Sequence, residues 1–218
     1  MKHFLKTALM TTATVLALGA CSVDRGKLLN DLVGNWMSTE ATDDGKEYEV
    51  ARQFFASKDG ETGNFIEDQK RYVDEADGNG VPYRLHYEVI VCGTYRMDAS
   101  GNVSLQYDTA TVALIPEEED MVAYQTRVRE WDAAQEASLY ADMDDMELED
   151  VLLYDFEAER IEGKRSAFAN RSDKEGQASI QGLKIEDGKL TFKASDGKAL
   201  SWERIDDFFE EDFFDDDV

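Results

Sequence analysis

A few side chains in this 218-residue chain have the chemistry of a catalytic centre. His86 and Glu88 lie two residues apart in an alternating segment, so a β-strand would place them side by side on one face, where they could hydrogen-bond. A histidine-based triad would depend on His86 alone, and a surface pair makes the same hydrogen bond without catalysis. Cys92 has no base or helix start beside it, which favours a small buried hydrophobe over a reactive thiol. The sequence therefore indicates no enzyme, with His86 or Cys92 catalysis as the alternative.

Acidic residues offer possible metal ligands at two places. The segment Glu75-x-Asp77-x-Asn79-Gly80 resembles the start of a calcium loop, but its twelfth position is His86, where a bidentate Glu is needed. A polar hairpin turn accounts for the same residues. The second place is a cluster that a solvated helix break also explains, formed by Asp142, Asp144, Asp145 and Glu147. Zinc lacks a typical ligand set here, so we predict no metal and no cofactor and leave calcium open.

The amino-terminal segment has the pattern of an export signal. Basic residues precede an apolar run over positions 8–18, which is too short to span a bilayer. The run ends in Leu18-Gly19-Ala20-Cys21, which resembles a bacterial lipobox. The resemblance implies a signal peptide over 1–20, lipidation of Cys21 with acyl chains such as palmitate, and a tether over 21–30. It also implies attachment to the outer membrane, because Ser22 follows the cysteine. An ordinary signal with a chance cysteine is the alternative.

The charge of the chain is strongly acidic and unevenly distributed. The formal net charge is −25. Positions 117–162 hold seventeen acidic residues and three arginines, a net of −14, and positions 206–217 hold eight acids and no base. A protein that binds nucleic acid needs basic surface to neutralise phosphates, so we exclude that class of partner.

Alternating side chains and turn residues predict a sheet-rich fold. The clearest strand runs from Tyr83 to Cys92, where apolar and polar residues alternate with the period of a half-buried strand. Gly93 suggests a bulge, and a change of apolar phase after Thr109 suggests a bend. Turns containing glycine separate the segments, and Asp187-Gly188 is a strong hairpin signal. Further strands are predicted over 46–57, 64–74, 103–107, 165–171, 178–186, 190–194 and 199–205.

A helical segment interrupts the predicted strands. Positions 117–162 contain no glycine or proline, and apolar residues recur there at helical spacing. Acidic residues at the start suit the positive end of a helix dipole. We predict two helices, with a break near 142–145, that cover one mouth or flank of the sheet.

Two short motifs at the ends of the sheet carry a family resemblance. The first predicted strand opens with Gly34-Asn35-Trp36, and the last contains Ser201-Trp202-Glu203-Arg204. This pairing resembles the lipocalin and calycin pattern, and more closely the lipocalin-like lipoproteins of Bacteroidetes-type bacteria. The resemblance covers about 31–205 and implies a mainly β, antiparallel barrel. It also implies that Arg204 lies against the indole face of Trp36, with a solvated Arg204 as the alternative.

The alternation places an aromatic set inside such a barrel. A small barrel either fills its interior with side chains or holds one small ligand. By resemblance we expect a lipid-anchored binding protein for a small apolar ligand. The alternative is an interaction lipoprotein with a filled barrel that engages partners through its acidic helices and tail. The candidate lumen residues are Tyr48, Phe54, Tyr83, Tyr87, Tyr95, Tyr107 and Phe192.

The acidic tail over 206–218 contains two pairs of phenylalanines. Paired rings among acids could dock into an apolar groove with a basic rim on a protein partner. A disordered tail that maintains solubility is the alternative. The candidate partner-binding residues are Phe208, Phe209, Phe213 and Phe214.

Overall fold

The described part of the chain forms nine antiparallel strands and three α-helices. The computed structural model describes residues 24–41, 46–57, 59–136, 138–174, 177–195 and 197–206, so the signal, Cys21 and the phenylalanines of the tail lie outside the described residues. The strands are β1 (Gly34–Ala41), β2 (Glu47–Phe54), β3 (Thr62–Ala76), β4 (Pro82–Met97), β5 (Val103–Tyr107), β6 (Ala113–Pro116), β7 (Gln181–Glu186), β8 (Lys189–Lys193) and β9 (Ala199–Ile205). The helices are α1 (Arg25–Leu32), α2 (Glu118–Ala133) and α3 (Asp145–Arg171).

The strands curl into a nearly closed barrel. Their order is β5-β4-β3-β2-β1-β9-β8-β7, and β6 pairs separately with β4. The two ends of this path approach each other through an isolated bridge between Val103 and Ile180. Closing a sheet in this way leaves few unpaired edges. The predicted fold class, a mainly β antiparallel barrel with a helical insertion, is confirmed.

The β3–β4 hairpin is the longest element of the sheet. Its turn is built on Asp77, whose Oδ1 accepts the backbone N–H groups of Asn79 and Val81 at 2.9 Å each. The carboxylate therefore closes the turn itself. The pairing then continues without a shift in register to the far end of both strands, so the bulge expected at Gly93 is wrong. A Cβ at this position would lie 2.5 Å from both the Phe65 ring and the Gln106 carbonyl oxygen, so close packing requires the glycine.

Helix α1 replaces much of the predicted tether. Asp24 caps it by accepting the Lys27 N–H at 3.0 Å. Leu29 and Leu32 are buried against the barrel. The indole Nε1 of Trp36 donates to the Leu32 carbonyl at 2.7 Å. The helix forms because two leucines spaced by three residues can share one buried face.

The helical insertion is longer than predicted. Its break near 142–145 is confirmed, and Asp144 begins α3 in a capping box with Glu147. However, α3 continues to Arg171, so the expected strand over 165–171 is absent and β7 is the next strand. Phe168 packs against Tyr107 and Arg171 pairs with Glu67, so contacts with the barrel outweigh the short alternating pattern. The change of apolar phase after Thr109 coincides with a 3₁₀ turn over Thr109–Thr111, which is consistent with the expected bend.

Candidate ligand-binding site

Aromatic side chains fill one end of the barrel. The Phe54 ring lies between Phe65 and Trp202, with centroid distances of 5.8 and 6.1 Å. Tyr95 meets Phe54 edge-on at 5.3 Å, and Phe192 meets Trp202 edge-on at 4.9 Å. Three of the candidate lumen residues, Phe54, Tyr95 and Phe192, are thus buried against their neighbours. At this end the interior is a packed core.

The expected contact between the first and last strands is present. The Arg204 guanidinium carbon lies 4.7 Å from the centroid of the Trp36 ring. Its Nη2 donates to the carbonyls of Asp31 at 2.6 Å and Val33 at 3.2 Å. Gly34 adopts φ +126°, and a Cβ there would lie 3.5 Å from Arg204 Nη1. A Cβ would make only an ordinary contact at that distance, so the positive φ is what favours glycine at this position.

A buried ion-pair network occupies the middle of the barrel. Glu67 is fully buried, and its carboxylate accepts from Arg52 Nε and Arg171 Nη1 at 2.8 Å each. Gln69 and the hydroxyl of Tyr107 also donate to it. Arg52 reaches Glu40 as well, at 2.7 Å. Helix α3 is therefore tied to the barrel interior through Arg171.

The charges of this network determine the ionisation of its members. Burial by itself would raise the pKa of Glu67, but Arg52 and Arg171 outweigh burial and bring that pKa down to about 2. Burial raises the pKa of Tyr107, and the neighbouring Glu67 carboxylate raises it further. Tyr107, another lumen candidate, therefore stays a neutral hydroxyl that donates to Glu67.

Sequence reasoning missed these polar residues, although a signal was present. Arg52 lies at an even position of β2, on the same face as Tyr48 and Phe54. Glu67 lies at an odd position of β3, on the same face as Phe65. Strict two-residue alternation from the neighbouring aromatics would have directed both charged side chains inward.

A group of cations lies where α3 crosses the inward faces of the sheet. We call Arg71, Arg160 and Lys164 the inward cation cluster. The Arg71 guanidinium carbon lies 3.2 Å from the ring centroid of Tyr48, and Lys164 Nζ lies 5.6 Å from that of Tyr87. All three cations are only partly buried, so solvent reaches the cluster.

The cluster has fewer acidic partners than cations. Arg160 contacts Glu75 and Glu159 and hydrogen-bonds the Tyr83 hydroxyl. Arg71 donates to the side-chain carbonyl of Gln69 at 2.6 Å. Within the described part of the chain, neither Arg71 nor Lys164 has a carboxylate at ion-pair distance.

Burial and positive neighbours both act on Lys164. Burial lowers the pKa of Lys164 to about 8, and the positive charges of Arg71 and Arg160 contribute to the decrease. Such a shift means that the ammonium form is disfavoured in this place. An anion bound between Arg71 and Lys164 would reverse that effect.

The remaining candidate chemistry lies on the outside of the barrel. His86 pairs with Asp120 of α2 rather than with Glu88, and its Nδ1 lies 2.9 Å from the Asp120 carboxylate. That carboxylate also accepts the His86 backbone N–H at 2.7 Å, so it docks α2 on β4. Glu117 brings a third ligand atom within 4.8 Å of the others, on an exposed surface. Cys92 is partly buried and free.

No family model matches the chain. No curated protein and no solved structure matches it significantly either. Among the helices that the structure describes, none combines the length and the apolar character needed to cross a bilayer.

Proposed function

We propose that this protein is a lipid-anchored, lipocalin-like binding protein of the cell envelope whose barrel takes a small amphiphile with an anionic head. The observation that supports the anionic head is the placement of Arg71 and Lys164 in the barrel without a described carboxylate partner. The small apolar ligand expected from the sequence is thereby refined. The proposed ligand keeps the apolar body expected from the sequence and also carries a carboxylate or phosphate head.

The distribution of charge supports an anionic ligand. The chain carries a formal charge of −25, so a site for a free anion needs positive charge that is shielded from the acidic exterior. The cations face inward, beside Tyr48 and Tyr87, whose rings offer apolar walls. A partly buried cation without a counter-ion is unfavourable, and a bound anion would supply that counter-ion.

Attachment to the membrane rests on the sequence. The segment ending in Cys21 resembles a lipobox, and two or more acyl chains give stable anchoring. We propose the outer membrane as the location, by the family resemblance. Labelling of bacterial cells that express the full chain with a clickable palmitate analogue tests this: the wild-type chain incorporates label, and Cys21→Ser does not. Equal labelling of the two chains contradicts the anchor.

The ligand class can be tested with a matched pair of probes. Dodecanoate and dodecanol share a chain and differ in head charge. Calorimetric titration of the purified full chain should show tighter binding of dodecanoate, by about tenfold or more, which corresponds to one charge-assisted contact. Arg71→Met and Lys164→Met should remove that preference. Lys70→Met is the matched control, because Lys70 neighbours Arg71 on β3 but is exposed. Equal affinity for the two probes contradicts the anionic head.

A second candidate function follows from the packed aromatic end. Several of the candidate lumen rings contact one another, which suits an interaction lipoprotein with a filled barrel. Its partners would engage the acidic helices and the tail with Phe208, Phe209, Phe213 and Phe214. Pull-down of envelope proteins with the full chain and with a chain lacking 206–218 tests this alternative. Identical partner sets exclude the tail as the docking segment.

A further inference from the structure

A cavity of about 430 Å³ lies among the β3–β4 turn, α2 and α3, on the side of α3 near its amino-terminal half. Its walls are aromatic. Tyr83 and Tyr124 pack together with ring centroids 4.9 Å apart, and Tyr140 and Phe156 also line the space. The volume falls within the range of small-molecule sites. Arg71, Lys164 and Tyr48 do not line it. Arg160 of the inward cation cluster borders it, because its guanidinium hydrogen-bonds the Tyr83 hydroxyl and lies 4.6 Å from the Phe156 ring centroid.

The polar groups of the cavity are predominantly acidic. Asp77, Asp155 and Glu159 contribute three carboxylates, and none of the described residues that line the space is a lysine or an arginine. Asp77 is held in place by the Tyr124 hydroxyl, which donates to its Oδ2 at 2.9 Å. Glu159 accepts from Arg160 at 2.9 Å. Among the described residues, Asp155 has no ion-pair partner. The cavity therefore retains net negative charge.

Aromatic faces combined with carboxylates select one class of ligand. A ring face attracts a cation through its quadrupole, most strongly where water is excluded. The surrounding carboxylates add Coulomb attraction, and neither group offers anything to an anion. Tyrosine hydroxyls on the same walls accept hydrogen bonds from an ammonium group.

We infer that this cavity binds a small organic cation, an alkylammonium or quaternary ammonium compound, held between the tyrosine rings with Asp155 and Glu159 as counter-ions. The inference is independent of the anion proposed for the barrel interior. The ligand would enter beside the β3–β4 turn, where Gly78 and Asn79 form part of the rim.

The test uses choline and its neutral isostere 3,3-dimethylbutan-1-ol with the purified full chain. Two-dimensional NMR titration follows the backbone amides of Gly78 and Asn79, with Gln69 in the barrel as the internal reference. Choline should shift the Gly78 and Asn79 signals saturably and leave Gln69 unchanged, and it should bind at least about tenfold more tightly than the alcohol. Binding of dodecanoate should not alter these signals.

Variants distinguish a specific site from general attraction to an acidic protein. Asp155→Asn and Glu159→Gln together should weaken choline binding by about tenfold or more, because both counter-ions are removed. Asp150→Asn is the control: the residue is exposed on the same helix and does not line the cavity. The inference is overturned if choline fails to shift Gly78 and Asn79, if the alcohol binds equally well, or if the control variant weakens binding as much as the double variant.

Discussion

Arg204 covers the indole of Trp36 and at the same time holds the end of α1 through two carbonyls, those of Asp31 and Val33. One side chain on the last strand thus joins the first strand and the helix that precedes it. This arrangement links the two ends of the described chain.

Loss of this contact should destabilise the barrel. Arg204→Met removes a cation–π contact and two hydrogen bonds, so we expect the free energy of unfolding to fall by about 1–3 kcal/mol. Arg204→Lys should recover only part of the lost free energy of unfolding. An ammonium cannot cover the ring and reach the carbonyls at the same time, as a planar guanidinium does. Urea denaturation provides the measurement, with the exposed Arg84→Met as control. Equal stability of the Met variant and the control would contradict the linking role.

Removal of the buried negative charge of Glu67 should destabilise the fold more than removal of Arg204. Glu67→Gln leaves Arg171 without its close carboxylate and leaves Arg52 with Glu40 alone, both facing a desolvated interior. We expect a loss of about 3–5 kcal/mol, typical of breaking a buried pair. Thermal unfolding measures it, and Glu49→Gln, which removes an exposed charge near Lys70, is the control. A loss below 1 kcal/mol would mean that the network is not structurally important.

Lys164 should make the ligand-free protein less stable below pH 8. Its folded-state pKa, about 8, lies below its ordinary value, so folding disfavours the charged form. This unfavourable contribution is fully present below about pH 8 and disappears as the pH rises through the unfolded value, about 10.4. Lys164→Met should therefore raise the free energy of unfolding at pH 7 by about 1 kcal/mol, a value reduced to allow for solvent screening. The gain should shrink toward pH 10. A destabilised Met variant at pH 7 would contradict this account.

Anion binding should depend on the same titration. Lys164 loses its charge as the pH rises above about 8, so dodecanoate affinity should fall between pH 7 and pH 10. Arg71 remains charged throughout, so binding should weaken without disappearing. Calorimetric titration at several pH values measures the effect. Lys164→Met should bind dodecanoate more weakly than the wild-type protein, and its affinity should be nearly independent of pH. An equal decline of affinity with pH in both proteins would assign the titration to another group.

Gly93 should tolerate no side chain. In Gly93→Ala the new Cβ meets the Phe65 ring and the Gln106 carbonyl oxygen at 2.5 Å, and the backbone oxygen cannot turn aside. Overpacking of this kind should reduce the free energy of unfolding by about 1–3 kcal/mol. Gly78→Ala is the matched control, because no described residue other than its chain neighbours places an atom within 4 Å of a Cβ there. Equal melting temperatures for the two variants would refute the close-packing role.

Much of the barrel could be predicted because its causes are local. Alternation in β4 identifies a buried face from neighbouring residues alone, and the pair Asp187-Gly188 adopts positive φ at both positions in the β7–β8 hairpin. The break before α3 is equally local, since Asp144 and Glu147 cap one another. The contact between Trp36 and Arg204 is long-range, and the family resemblance, rather than periodicity, anticipated it.

The sequence by itself determined the strands, the turns and the helix-forming segment, because these follow from side-chain period and backbone preference within a few residues. Only the tertiary structure decided that α3 continues to Arg171, since its last turns are stabilised by the barrel interior and not by their own pattern. Closure of the barrel also decided where the inward-facing cations lie. Arg71 and Lys164 are far apart in the chain, and the fold brings each of them against an inward-facing ring, Tyr48 and Tyr87 respectively.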